Sequence, residues 1–251
     1  MWRTARTLPR GWTCAPAEGE GHPVVVFVHG GGWYQYDKLV YAPVAMRLLE
    51  HDLVVVMADY TLHPEADYSR MAHETADAVA WTLEHIAEYG SDPQRVVVAG
   101  QSAGAHLAAL AMTDPGYLAA SGHGSAELRG LVGISGMYDI AAEDAFFRNK
   151  RQRPIIMEKV MGGIDNYAAA SPMTWVRPDL PPTLLLHGDA DTTVPQHISA
   201  DFRAALQAAG NQSELVVYAD QGHAGLLFWA LDDEEQALVG TIVEWVDHRT
   251  G

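Results

Sequence analysis

The sequence is poor in cysteine and in basic residues. Cys14 is the single cysteine among 251 residues, so an internal disulfide and a cysteine-rich zinc module are both excluded. Lysine and arginine total 16 against 32 aspartates and glutamates, which gives a formal net charge of −16. Such a charge repels the phosphates of nucleic acids and of anionic lipid surfaces, so we expect neither to be the main partner.

Long apolar runs are also absent. Runs such as 53–58 and 226–231 are far shorter than the roughly 18 residues that a transmembrane helix requires. The charges of Arg3, Arg6 and Arg10 are typical of the start of a secretory signal, but no apolar stretch follows them. We therefore expect a cytoplasmic protein without a membrane span. The sequence does not distinguish a monomer from a homodimer.

Short apolar runs alternate with helical patterns along the chain. Each run is continuously apolar, as expected of strands that are covered on both faces. The predicted strands are 24–28, 53–58, 96–99, 131–134, 183–186 and 215–218. The predicted helices are 39–51, 68–89, 103–113, 197–209 and 232–248. This alternation predicts an α/β fold, a mostly parallel sheet with helices on both faces, in a single domain that spans residues 1–251.

Two regions depart from the alternation. The first 20 residues have little strand character, and we expect them to lie over the sheet edge.

Residues 141–170 have a helical pattern between the fourth and fifth predicted strands, where we expect a small lid insertion. This segment carries a cluster of basic residues, Arg148, Lys150, Arg151 and Arg153. We interpret this basic cluster as a solvated helix face rather than a device that attracts an anionic substrate.

A G-x-S-x-G pattern stands at the junction of a predicted strand and a predicted helix. Gly100, Ser102 and Gly104 follow the strand at 96–99 and begin the helix at 103–113. This is the context of a nucleophile elbow, where a serine occupies a sharp, strained turn. Glycines flank the serine because the neighbouring backbone leaves no room for side chains. We therefore predict that Ser102 is a nucleophile rather than an ordinary helix-capping serine.

The sequence HGGGW at 29–33 follows the strand at 24–28. Consecutive glycines expose backbone N–H groups without obstruction, as an oxyanion hole requires. The alternatives are a mobile turn and a phosphate-binding loop. A phosphate-binding loop would end in Gly-Lys-Ser/Thr or have a third spaced glycine, and this segment has neither. We expect oxyanion donors from Gly31 and Gly32, and a further one from Ala103 at the helix N-terminus beside the serine.

A serine hydroxyl needs a base to become a good nucleophile. In hydrolases with a nucleophile elbow the chain order is serine, acid, histidine. The candidate histidines are therefore His187, His197, His223 and His248. We choose His223, because its Gly-His-Ala-Gly segment is in the loop after the last predicted strand. His187 ends a strand and is expected to be structural, and His248 lies in the final helix.

Two aspartates in the loop after the strand at 183–186 could orient this histidine. We choose Asp191, which is followed after two residues by Val-Pro, over Asp189, which would cap the turn. Ser102, Asp191 and His223 each follow a predicted strand, and the carboxyl ends of parallel strands meet at one edge of a sheet. The three side chains together are therefore a far more specific signal than any one motif.

These segments resemble the α/β-hydrolase superfamily, and within it the esterases and lipases with an HGGG oxyanion motif that are often grouped with hormone-sensitive lipase. Residues 59–65 (DYTLHPE) resemble that group's D-Y-R-L-x-P-E segment, with threonine in place of arginine. The segments 88–93 (EYGSDP) and 100–106 (GQSAGAH) are more similar to prenylcysteine methylesterase-like proteins and to arylformamidases. The resemblance covers residues of about 23–248.

The resemblance implies an α/β-hydrolase fold with the same catalytic and oxyanion residues that the motifs predict. The group usually begins with an antiparallel strand pair and often an N-terminal cap. Because only about 20 residues precede the first predicted strand, we expect little room for either and hence a shortened N-terminus and an open site.

Together these features predict a serine carboxylesterase that works through an acyl-enzyme, without metal or organic cofactor. Candidates for substrate contact are Trp33, Tyr34, Phe147 and Phe228, which favour small to medium esters with an apolar portion. An arylformamidase-type amide hydrolase with the same residues is the main alternative. A non-catalytic ligand-binding receptor with the hydrolase fold and acyl transfer to an alcohol are the others.

Overall fold

The central sheet has eight strands in the part of the chain that the computed structural model describes, residues 6–7, 12–15, 20–229 and 237–251. The strands are β1 (Arg6–Thr7), β2 (Thr13–Ala15), β3 (His22–Val28), β4 (Val54–Ala58), β5 (Ser91–Gln101), β6 (Gly130–Ile134), β7 (Thr183–Gly188) and β8 (Ser213–Tyr218). Their spatial order is β1-β2-β4-β3-β5-β6-β7-β8. The pairings β1–β2 and β2–β4 are antiparallel and the others are parallel, so the predicted mostly parallel sheet is confirmed.

The N-terminal segment differs from its prediction, because it contains the antiparallel strands β1 and β2. Thr13 and Cys14 of β2 pair with Met57 and Val56 of the edge strand β4, and Cys14 and Ala15 are buried. The expectation of little strand character and little room for an antiparallel strand pair in the first 20 residues is therefore wrong. An exposed sheet edge offers hydrogen-bond partners to any extended segment, so pairing there overrides weak intrinsic propensity.

The strands are apolar without alternation because the sheet is covered on both faces. In β3, Val24, Val26 and Val28 belong to one core, to which α2, α3 and α7 contribute. Val25 and Phe27 belong to the core on the opposite face, with α1 and α9. The helices are α1 (Ala42–Leu49), α2 (Tyr68–His85), α3 (Ala103–Thr113), α4 (Pro115–Ala120), α5 (Ile140–Phe147), α6 (Tyr167–Ala170), α7 (Gln196–Ala208), α8 (Gly225–Trp229) and α9 (Ala237–Thr250). If polar and apolar residues alternated along a strand, the polar ones would be buried in the core on one face of the sheet, so the strands are apolar throughout.

The helix predicted at 103–113 is α3 with the same ends, and the other predicted helices correspond to helices of the structure with shifted ends. The pattern at 68–89 is α2 followed by a 3₁₀ turn, Ile86–Tyr89, which ends at Gly90 in the left-handed conformation with φ 82°. Of the helix predicted at 232–248, residues 232–236 lie outside the described residues. Within the described ranges, every helix is too short or too polar to cross a bilayer. The cytoplasmic location and the single domain stay predictions.

Residues 141–170 form a helical insertion between β6 and β7. The insertion contains most of α5, a π-helix at Pro154–Val160, a 3₁₀ turn at Ile164–Asn166 and α6. Phe147 and Ile156 are buried where the insertion packs on the rest of the chain. This packing places the insertion beside the carboxyl edge of the sheet, and its function as a lid stays a prediction.

The strand register aligns the carboxyl ends from which the predicted site residues extend. Val28 at the end of β3 pairs with Gly100 of β5, and Gly188 at the end of β7 pairs with Tyr218 of β8. The loops after β3, β5, β7 and β8 therefore meet along one edge, which is the usual ligand-binding edge of an open α/β sheet.

Candidate active site

Ser102 occupies a strained turn between β5 and α3. Its backbone has φ 55° and ψ −118°, in a region that non-glycine residues rarely adopt. A Cβ on Gly104 would lie 2.1 Å from the carbonyl oxygen of Val28, and one on Gly100 would lie 2.5 Å from the backbone of Gly104. Both glycines are therefore required by backbone packing. This turn lifts the Ser102 hydroxyl out of the sheet towards the neighbouring loops.

The structure brings the three predicted triad residues into one hydrogen-bonded chain. Nε2 of His223 lies 2.8 Å from Oγ of Ser102, and Nδ1 lies 2.7 Å from Oδ2 of Asp191. Since Nδ1 faces a carboxylate, it carries the hydrogen and donates it. Nε2 is then free to accept the proton of the serine hydroxyl, which is the geometry that nucleophilic catalysis requires.

Four N–H groups surround the Asp191 carboxylate, and the one of His187 is shared with the carbonyl oxygen of Val194. Its Oδ1 accepts hydrogen bonds from the backbone N–H groups of Thr193 (2.8 Å) and Val194 (2.9 Å). Its Oδ2 accepts from His223 and lies 3.3 Å from Nε2 of His187. Burial raises the pKa of this carboxyl, but the hydrogen bonds from His187 and His223 and the backbone of Val194 outweigh burial and lower the pKa well below its usual range. Asp191 is therefore charged.

The alternatives to Asp191 and His223 have other roles in the structure. Asp189 accepts a hydrogen bond from the N–H of Asp220, as expected for a carboxylate that holds a turn. His187 is fully buried, with Nδ1 2.7 Å from Oγ of Ser199. Its Nε2 lies 3.0 Å from the carbonyl oxygen of Val194 and 3.3 Å from Oδ2 of Asp191, so His187 joins the end of β7 to the loop that carries Asp191.

Gly31 and Gly32 are in the loop after β3, which faces the Ser102 turn. Both have positive φ, 117° and 61°, and a Cβ on Gly31 would lie 2.0 Å from the carbonyl oxygen of Gln35. Both line the same cavity as Ser102. Within the described part of the chain, no group accepts a hydrogen bond from the N–H of Gly31, Gly32 or Ala103. These donors are therefore available to a substrate oxygen.

His29 packs against the loop of Gly30, Gly31 and Gly32 and bonds to its backbone. Its ring is buried and stacks on Tyr60 with ring centroids 4.4 Å apart, and its Nδ1 donates to the carbonyl oxygen of Gly30 at 2.6 Å. Burial lowers the pKa of His29, although Gly30 and Asp59 act in the opposite direction. The lowered pKa favours a neutral His29 ring, which packs against the loop of Gly30 and holds its backbone.

Gln101 joins the elbow to the loop that carries the histidine. Its side-chain nitrogen lies 3.4 Å from both the carbonyl oxygen and Nε2 of His223, and its side-chain oxygen accepts from the hydroxyl of Tyr41 at 2.8 Å. A Cβ on Gly30 would lie 2.3 Å from that oxygen, so this glycine makes room for the pair. The sequence did not indicate this contact between Gln101 and Tyr41, because Gln101 is the variable residue before the serine in G-x-S-x-G and the motif says nothing about its partners.

The site opens into a cavity of about 540 Å³. Trp33, Tyr34 and Phe147 line it as predicted, although Trp33 is almost fully buried and donates its indole N–H to His106. The side chain of Phe228 lies outside the described residues. Further apolar lining comes from Met137, Ile156, Val194 and Leu227. The walls are thus largely apolar, as an acyl or aryl group requires.

Residues of the basic cluster have different surroundings in the structure. Arg153 is paired with Asp144 and Glu158, as a solvated helix face predicts. Lys150 departs from that interpretation, because it lines the cavity that contains Ser102. The helical pattern of residues 141–170 does not reveal which of its charges face the site.

The chain is similar to a protein family model and to curated proteins that are named as esterases. The family model BD-FAE matches residues 13–206. The isoprenylcysteine alpha-carbonyl methylesterase ICME of Arabidopsis thaliana is 31% identical, over 84% of this chain and 52% of its own length. The esterase LipQ of Mycobacterium tuberculosis is 33% identical, over 83% of this chain and 51% of its own length. The chain therefore spans about half the length of these curated relatives.

Solved structures show the same fold. The butyrate-bound esterase Est2 of Thermogutta terrifontis aligns with a TM-score of 0.72 and 24% identity, and the alignment covers 97% of this chain and 90% of that one. A truncated carbohydrate esterase from gut microbiota aligns with a TM-score of 0.79 and 18% identity, over 96% and 90% of the two chains. The α/β-hydrolase fold that the resemblance implies is confirmed.

Proposed function

The chain belongs to the BD-FAE family, and we propose that it is a serine carboxylesterase in which Ser102, His223 and Asp191 form the catalytic triad. The observation that supports this proposal is the unbroken path from Oγ of Ser102 through both ring nitrogens of His223 to Asp191, with distances of 2.8 and 2.7 Å. A carboxylate whose pKa is lowered keeps the imidazole in the tautomer that accepts the serine proton.

In the first half of the reaction, Oγ of Ser102 attacks the ester carbonyl carbon while Nε2 of His223 takes the hydroxyl proton. Asp191 stabilises the imidazolium that forms. The negative charge on the former carbonyl oxygen is bound by the N–H groups of Gly31, Gly32 and Ala103. One such donor typically contributes on the order of 3 kcal/mol to transition-state stabilisation.

Collapse of the tetrahedral intermediate expels the alcohol, which receives its proton from the imidazolium of His223. The acyl group is then bonded to Oγ of Ser102. Water, deprotonated by the same histidine, attacks this acyl-enzyme and releases the acid, which restores the serine hydroxyl. Each step uses the same oxyanion donors, because each passes through a tetrahedral intermediate.

The substrate class follows from the shape and lining of the cavity. A volume of about 540 Å³ and walls formed by residues such as Tyr34, Phe147 and Leu227 suit small to medium esters with an apolar portion. The insertion at 141–170 contributes Phe147 and Ile156 to these walls, and we include its role as a lid in the proposal. The curated relatives are named as esterases, which favours an ester over a formamide.

The test compares wild type with Ser102→Ala on esters of increasing acyl length and with a fluorophosphonate probe. We expect the wild-type serine to be labelled and the variant to lose both labelling and turnover. Ser121→Ala, which changes a serine at the end of α4, is the matched control and should behave as wild type. An unlabelled wild-type protein contradicts the proposal. Faster turnover of N-formylkynurenine than of any ester would favour the amide hydrolase instead.

A further inference from the structure

Lys150 is the one described cavity-lining residue with a permanent charge. Apart from the titratable ring of His223, the other described lining residues are apolar, aromatic or neutral polar, and neither aspartate nor glutamate is among them. This positive charge stands out in a chain whose formal net charge is −16. An ester that carries a carboxylate would be repelled by most of this surface and attracted at this point.

The ammonium group of Lys150 has a defined position with unused donors. Its Nζ donates to the carbonyl oxygen of Thr192 at 3.2 Å and lies 4.7 Å from the ring centroid of Phe146. No carboxylate within the described ranges lies within ion-pair distance of Lys150, whereas Arg153 in the same cluster has two acidic partners. An ammonium has three hydrogens, and among the described residues only Thr192 accepts one of them, so the group can still donate to a ligand.

The surroundings of Lys150 suit a carboxylate. Gln152, Thr192 and Thr193 line the same cavity and add polar groups near the charge. Thr192 directly follows Asp191, so the charge lies next to the loop that holds the triad acid. Lys150, Thr192 and Thr193 are exposed, so the charge lies at the mouth of the cavity, where it attracts an anionic group and is screened by salt.

We propose that Lys150 binds a carboxylate on the substrate, remote from the ester that is cleaved, and that the preferred substrates are esters bearing this second, negatively charged group. This inference rests on the proposed esterase function. It assigns to Lys150 the binding of substrate, with no part in proton transfer or in the acyl-enzyme.

The test uses pairs of esters that differ in charge and little in shape. Monoethyl glutarate is paired with the neutral ester in which an isopropyl group replaces the carboxylate, and para-carboxyphenyl acetate with para-isopropylphenyl acetate. The first pair carries the charge on the acyl part and the second on the alcohol part. The readout is kcat/KM of each variant relative to wild type, because this ratio cancels the intrinsic reactivity of the esters.

We expect Lys150→Met to lower kcat/KM about three- to fivefold for the charged member of at least one pair, chiefly through KM, and to change the neutral members less than 1.5-fold, since an exposed ion pair contributes up to about 1 kcal/mol. Lys150→Arg should retain most of the preference. Lys150→Glu should depress the charged member further. Lys159→Met, which removes an exposed lysine of the π-helix outside the cavity lining, is the matched control and should leave both members unchanged. Added salt should weaken the wild-type preference.

Equal losses on charged and neutral esters in Lys150→Met would overturn the inference, because they would show a purely structural role at the contact with Thr192. No change on any ester would overturn it as well. If wild type hydrolyses neither member of either pair and resists the fluorophosphonate probe, the esterase function itself fails. The two failures are therefore distinguishable.

Discussion

The side-chain nitrogen of Gln101 lies 3.4 Å from the backbone carbonyl oxygen of His223, a residue 122 positions further along the chain. The carbonyl of His223 requires a donor, so the amide group faces it with nitrogen and accepts from the hydroxyl of Tyr41 with oxygen. This buried amide thereby joins the strand before the nucleophile to the loop that carries the base.

Replacing Gln101 should therefore affect catalysis more than binding. We expect Gln101→Leu to lower kcat by about 5- to 30-fold with little change in KM, since a lost hydrogen bond of about 1–2 kcal/mol allows the His223 loop to move. Tyr41→Phe, which leaves the amide in place, should lower kcat less. Steady-state kinetics on one ester checks this. Gln207→Leu, on the surface of α7, is the control, and an unchanged kcat in Gln101→Leu would contradict the argument.

The two aspartates after β7 should differ sharply when each is changed to asparagine. Asp191→Asn removes the charge that holds the tautomer of His223, so kcat should fall roughly 10³- to 10⁴-fold. Asp189→Asn alters only a bond to the N–H of Asp220 and should keep near wild-type kcat. Circular dichroism establishes that both variants are folded. Similar losses in both would show that Asp191 has been wrongly assigned.

The buried His106 should make the fold sensitive to mild acid. Burial lowers its pKa from 6.5 to about 4, although its hydrogen bond to the carbonyl oxygen of Ala170 acts in the opposite direction. Between these values the unfolded chain binds a proton that the folded chain does not. Above pH 6.5 His106 is neutral in both states and costs no stability. As the pH is lowered from 6.5 towards 4, protonation of the unfolded chain lowers the free energy of unfolding by about 3 kcal/mol.

Urea unfolding at several pH values between these limits measures the effect. We expect His106→Asn to be less stable than wild type at neutral pH, because it loses hydrogen bonds, but to lose less stability on acidification. His197→Gln, at an exposed position on α7, should follow the wild-type pH curve. Parallel curves for wild type and His106→Asn would rule out His106 as a source of the acid sensitivity.

Adding one methyl group to a glycine should have opposite effects at two positions. Gly104→Ala places a Cβ 2.1 Å from the carbonyl oxygen of Val28, so the free energy of unfolding should fall by about 2 kcal/mol or more. Gly240→Ala, inside α9, meets nothing within 4 Å and should raise it by up to about 1 kcal/mol through helix propensity. Melting temperatures of the two variants check this, and a tolerated Gly104→Ala would disprove close backbone packing at the elbow.

Local patterns were enough to predict the parallel strands and the chemistry at their ends. The continuously apolar segments of β3 and β5 can be buried only in a sheet covered on both faces, and this places Ser102 at a carboxyl end. Once the strand order places β5, β7 and β8 in one sheet, the loops carrying Ser102, Asp191 and His223 meet at one edge. Periodicity and motif spacing carry this information because both depend on near neighbours in the chain.

Contacts between distant segments required the tertiary structure. The pairing of β2 with β4, the support of His223 by Gln101 and the position of Lys150 in the cavity each join residues far apart in sequence. Such contacts depend on strand register, loop course and side-chain rotamer together. A short segment without a strong propensity, such as Thr13–Ala15, takes its conformation from the edge that it meets, so its own residues do not predict it.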